Sequence, residues 1–284
     1  MWKRFSSVSS ASSRNRATAR LLRTAALTAA VAVSWPHYQG PAFAQQTQDE
    51  LVNQVDEVTR RIQKDPFIRL RFVALSLETP DEQGQALNGI VRAQIARGNI
   101  EDALTELRRI EDVLWRARSY GAVGDHYETV GDREKALDYL NQAMKTVTSG
   151  GEIGIGGADL LRVIAKKQAK LGQLNAAIAS AERIPGPLQR VRALQQAASA
   201  SFDDAGDNPK ASSNAKAVLA AAFEQAEKID DPSNKTSHLF IDIGEAQAAI
   251  GDEAGAQKTF SRARELIEQG GRDGRDRAFA RLAG

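Results

Sequence analysis

A short phrase, glycine with alanine five residues later, recurs at Gly98–Ala103, Gly131–Ala136, Gly172–Ala177, Gly206–Ala211 and Gly251–Ala256. Successive alanines lie 33, 41, 34 and 45 residues apart. A recurrence with this period marks a stack of similar supersecondary units, because one unit cannot bury its apolar face alone. Apolar residues flank each phrase at helical spacing. In the second copy Tyr120, Val123, Gly124 and Tyr127 precede the glycine, and Ala136, Leu137, Leu140 and Ala143 follow it. That pattern predicts two amphipathic helices joined by a tight bend. The glycine suits the left-handed residue that ends the first helix. Asn99, Asp132, Asp207 or Asp252 is placed to cap the second, and the alanine falls where the two helices cross closely.

These residues resemble the tetratricopeptide repeat, a helix-turn-helix of 34 residues with small residues early in helix A, an aromatic further along it, and alanine early in helix B. Gly124 and Tyr127 fit in the second copy, and Gly244, Ala256, Phe260 and Ala263 in the last. Gln94, Gln168 and Gln247 replace the aromatic in three copies, and the proline that usually closes helix B is missing. The expected fold is all-α: a right-handed α-solenoid of about five antiparallel helix pairs with helical caps, its TPR-like repeats spanning residues 81–269.

Residues 1–44 are read separately. Lys3, Arg4, Arg14, Arg16, Arg20 and Arg23 come without an acid, a short apolar run covers residues 24–35, and Ala42-Phe43-Ala44 follows. This is the layout of a secretory signal peptide, with cleavage expected after Ala44 and a periplasmic product. The apolar run is too short to cross a bilayer and no second candidate span follows, so stable membrane insertion after cleavage is not expected. Without the leader, 32 basic residues face 36 acidic ones, a formal −4 that gives no electrostatic reason to expect nucleic acid. Cysteine is absent, so helix packing alone must hold the fold.

Residues 45–80 read as an N-terminal helical cap. Leu51, Val55, Val58 and Ile62 share a helical face, and Phe67–Leu77 is apolar enough to pack beneath the first hairpin. Ile68–Phe72 also alternates like a strand, but a lone strand has no partner. Residues 270–284 read as a C-terminal capping helix, Gly150–Gly157 as a flexible loop, and Lys210–Ile229 as one long helix started by Pro209, with Ser212-Ser213-Asn214 its weakest point.

The residues that carry chemistry are sparse. Only His126 and His238 remain outside the leader, in different repeats and without a second histidine one turn away, so no metal or catalytic site is expected. The 150–157 glycines lack the Lys-Ser/Thr of a phosphate loop, and Asp203, Asp204 and Asp207 lack the rest of a calcium loop, so no cofactor is expected. The resemblance implies that helix A lines an inner face, with Arg92, Asp125, Lys166 and Glu245 directed inward and Arg162 one turn before Lys166. Their mixed signs depart from the lysine and asparagine clamp with which some members of that family hold a C-terminal carboxylate. The expected function is a non-enzymatic adaptor that binds a protein or peptide on this face. The alternatives are a cell-wall or glycan hydrolase using paired carboxylates, and a structural protein that self-associates through the Leu51–Ile62 seam.

Overall fold

The computed structural model describes residues 65–203, 209–230 and 235–269, together with Asn53, Asp56, Glu57, Thr59 and Arg60. The chain divides between Asp65 and Pro66 into two units. In the first, those five residues are helical and exposed. The expected signal peptide, the seam residues Leu51, Val55, Val58 and Ile62, and the expected 270–284 cap lie outside the described residues.

The second unit contains eleven helices among its described residues: α1 Pro66–Leu75, α2 Pro80–Ala96, α3 Ile100–Leu107, α4 Val113–Thr129, α5 Arg133–Ser149, α6 Ile155–Lys170, α7 Leu174–Glu182, α8 Pro187–Asp203, α9 Pro209–Glu227, α10 Lys235–Ala249 and α11 Glu253–Gln269. No strand occurs among them. Helices α2/α3, α4/α5, α6/α7, α8/α9 and α10/α11 pack as pairs, and α1 packs on α2. The even-numbered helices are the A helices, and adjacent ones touch. Ile68–Phe72 is therefore helical, with Phe67 and Ala74 of α1 buried against Leu87, Val91 and Leu107.

Each described bend is built the same way. Gly98, Gly131, Gly172 and Gly251 have φ of 78°, 83°, 73° and 74°. The next residue's N–H donates back to the carbonyl four positions before the glycine: Asn99 to Gln94, Asp132 to Tyr127, Gln173 to Gln168 and Asp252 to Gln247, at 2.8–3.0 Å. This closes the last turn of helix A and places the following residue as the start of helix B. The phrase's alanine then donates the first full-turn bond of helix B, as from Ala136 to the Asp132 carbonyl at 3.0 Å. Ala103, Ala136 and Ala177 have no exposed surface, and Ala256 is also buried. Gly206 lies outside the described residues.

Capping is less uniform than the sequence predicts. Asp132 accepts from the Lys135 backbone N–H at 3.1 Å, and that bond holds its carboxyl below the ordinary range. Asn99 makes no cap bond; its amide instead donates to the Gln94 side chain at 3.0 Å. Asp207 lies outside the described residues. The glycine tract is a second correction. Helix α6 begins at Ile155, so Gly156 and Gly157 are helical and only 150–154 form the connection. The tract is also closely packed. A Cβ at Gly150 would lie 2.9 Å from Val113 Cγ1, and one at Gly156 would lie 2.8 Å from Leu114 Cδ2. Its glycines are thus accounted for by close approach as well as by bending. Helix α9 runs unbroken through Ser212-Ser213-Asn214.

The glutamines that stand in for the family's aromatic form a recurring buried pair with the residue twelve positions later. Ser180 donates to Gln168 Oε1 at 2.7 Å, and Thr259 donates to Gln247 Oε1 at 2.6 Å. In the second repeat the same two positions hold Tyr127 and Tyr139, stacked with ring centroids 5.5 Å apart. In the first they hold Gln94 and Glu106, both buried. The third and fifth repeats thus close their hairpins with a hydrogen-bonded polar couple and the second with an aromatic one. Gln168→Leu would leave the buried Ser180 hydroxyl without its acceptor and Asn141 without the amide that donates to it at 2.9 Å. A loss of about 1–3 kcal/mol is expected in denaturant melts, with most of it recovered in Gln168→Leu/Ser180→Ala.

Cross-element side-chain hydrogen bonds reach about one repeat along the chain. Asn88 donates to Ser119 across 31 positions, Trp115 to Asp81 across 34, and Gln225 to Glu182 across 43. Packing is more continuous: Ala117, Val147, Leu161, Leu194, Leu219, Phe240 and Ile243 share one apolar core from the second repeat to the fifth, and another surrounds Leu87, Leu107, Ile110 and Val123.

Candidate functional site

The five residues expected to mark the inner face occupy one strip of the A helices, but the structure does not gather them into one site. Arg92 on α2 and Asp125 on α4 line the same hollow of about 530 Å³, with Ile95, Ala96, Ala122 and His126. Arg92 is exposed and donates only a long bond, 3.3 Å, from Nε to Asn88 Oδ1. Arg162 is half-buried and spans to α8, donating to Gln196 Oε1 at 2.8 Å, while also facing Asp159 at 3.4 Å. Lys166 is exposed on α6. Glu245 is exposed on α10, separated from α6 in the row by α8. The hollow therefore belongs to the first two repeats, Lys166 continues its strip onto the third, and Glu245 stands apart.

The residue that sequence reasoning missed is Lys167. Its ammonium, and not that of Lys166, pairs with the Asp125 carboxylate. Lys167 also lies 3.9 Å from Glu128, and Lys170 binds the other Glu128 oxygen at 2.8 Å. Helices α4 and α6 are thus bridged by two acids and two lysines. Asp125 is committed to holding the helix row together, and the strip is less mixed in sign than its sequence suggests. The interval between these helices carries the glycine insertion, so spacing alone did not show which lysine meets which acid.

The remaining candidates occupy structural positions. His126 stacks edge-on against Tyr127, 5.4 Å between centroids, and His238 is exposed. Trp115, an aromatic available in principle for sugar stacking, packs against Gly84, where a Cβ would lie 2.9 Å from Trp115 Cδ1. Its indole donates to Asp81 at 2.8 Å, and the Arg118 guanidinium covers its ring. Asp203 ends α8, while Asp204 and Asp207 lie outside the described residues. Among the described residues, no group of three or more histidine, cysteine, aspartate or glutamate side chains is arranged to hold a metal, and no helix is long and apolar enough to cross a membrane.

No family model matches the chain, and no curated protein matches it. Solved structures do. BtubC (BKLC) from P. vanneervenii aligns over 79% of this chain and 91% of its own, with 18% identity and a TM-score of 0.31. The nearly identical TPR-like repeats of a kinesin light chain candidate from Podosopora anserina align over 67% of this chain and 97% of their own, with 16% identity and a TM-score of 0.32. The TPR2AB domain of yeast Sti1, solved as a complex with pHSP90, aligns over 72% of this chain and 92% of its own, with 17% identity and a TM-score of 0.23. The TPR-like character of the fold is carried by the hairpins themselves, with their shared glycine bends, buried alanines and row of A helices.

Proposed function

We propose that this TPR-like helical-repeat protein is an adaptor that binds a protein or peptide along the exposed strip of its A helices. On this reading it performs no catalysis and works in the periplasm once residues 1–44 have been removed. The observation that carries the reading is the hollow between α2 and α4, lined by exposed Ala96, half-buried Ile95 and the buried Ala122 beside a cation, Arg92, that has no carboxylate partner among the described residues. Open apolar surface next to an uncompensated charge favours a partner that supplies both complements. The acids along the strip are already engaged, Asp125 and Glu128 by lysines and Asp159 by Arg162, which suits recognition better than acid-base work.

Site-specific photocross-linking in the protein's own cells tests this. A photoreactive residue at Ala96, exposed in the hollow, should give a discrete cross-linked product in the periplasmic fraction. One at Lys145, exposed on α5, should not. No product from Ala96, or the same product from both sites, would remove the adaptor reading.

A further inference from the structure

Resting on the adaptor reading, we infer that the strip from α2 to α6 takes an internal, extended, acidic segment of its partner, with two carboxylates set to meet Arg92 and Lys166 and an apolar side chain between them. Charge complementarity carries this. Along these three A helices Asp125 is neutralised by Lys167, Glu128 by Lys170 and Asp159 by Arg162. What remains at the shared repeat position is Arg92, bonded only to the neutral amide of Asn88, and Lys166, which makes no hydrogen bond or ion pair among the described residues. The surface thus offers two cations with three acids silenced, a pattern that selects carboxylates and disfavours basic segments.

Spacing limits the ligand further. Neighbouring packed helices lie ~8–10 Å apart, so two steps from α2 to α6 separate the cations by ~16–20 Å. An extended peptide rises ~3.3 Å per residue, which places its two acids about five or six positions apart. The apolar hollow formed by Ile95, Ala96 and Ala122 lies between α2 and α4, so the apolar side chain falls after the first acid in the direction running from Arg92 to Lys166. Nothing in this arrangement calls for a chain terminus, because both cations stand on an open strip and neither closes an end of it.

Selection from a random twelve-residue peptide library, displayed with both ends joined to carrier, tests the inference on the purified protein. The expected result is enrichment of peptides with Asp or Glu pairs five or six positions apart and an apolar residue between. Binding should weaken as salt is raised. It should fall about tenfold or more on Arg92→Glu/Lys166→Glu, whose substitutions are exposed and whose thermal unfolding should match the parent. Enrichment of basic or uncharged peptides, no enrichment, or acidic peptides held equally by the double variant would overturn it. Cross-linking from Ala96 is independent of ligand charge, so a product there alongside failed selection would sink this inference and leave the adaptor reading standing.

Discussion

Phe240→Ala should cost about 3–5 kcal/mol of stability, because Phe240 is 1% exposed and its removal leaves a ring-sized void. The ring packs edge-on against Phe223, 5.2 Å between centroids, at the C-terminal part of a core that begins at Ala117 and Val147 of the second repeat. Because repeats contact chiefly their neighbours, the damage should be local in extent. Hydrogen exchange should show α8 to α11 losing protection while α2 to α5 keep most of theirs. Phe72, also aromatic but 64% exposed on α1, is the control, and Phe72→Ala should change stability by no more than about 0.5 kcal/mol. Uniform loss of protection along the stack would show that the repeats unfold as one unit.

The second large effect is electrostatic. Glu106 is fully buried on α3, and its Oε1 accepts from Arg71 of α1, with Nε at 2.7 Å; Arg109 stands 3.7 Å from Oε2. Arg71→Leu leaves that carboxylate in the interior with only the distant Arg109, and a loss of about 3 kcal/mol is expected. Glu106→Leu in the same background should restore most of it, since removing both charges removes the burial penalty. Urea melts of the two single variants and the double variant give the coupling. A cost below about 1 kcal/mol for Arg71→Leu would mean that water reaches the carboxylate and that α1 is held by Phe67 and Ala74 alone.

The hairpins were legible because each bend is a local problem. A left-handed glycine, the residue after it and the alanine that begins helix B lie within six positions, and backbone sterics dictate them directly. The single long α9 was equally readable, since Pro209 starts it and no later residue is a strong breaker. What the sequence concealed lies between repeats. Lys167 rather than Lys166 meets Asp125 because the register of α6 against α4 is set after the insertion, by packing. Gly156 and Gly157 resemble loop residues in composition, yet they are helical, and they are glycines because Leu114 and neighbouring side chains occupy the space a side chain would need. Asn99 resembles a cap, but the Gln94 side chain draws its amide away. Which of the strip residues keep an uncompensated charge was not readable, because that depends on neighbours a whole repeat distant.

Side-chain ties that span about one repeat, such as the 31 positions from Asn88 to Ser119 and the 43 from Gln225 to Glu182, have a consequence for how the chain reaches its native state. Every such tie closes a short loop, at an entropic toll that grows only slowly with loop length. Structure can then assemble progressively from whichever end is presented first, without waiting for distant sequence to arrive. A polypeptide wired in this way is well suited to delivery as a linear thread through a narrow pore, folding behind the exit as each hairpin clears it.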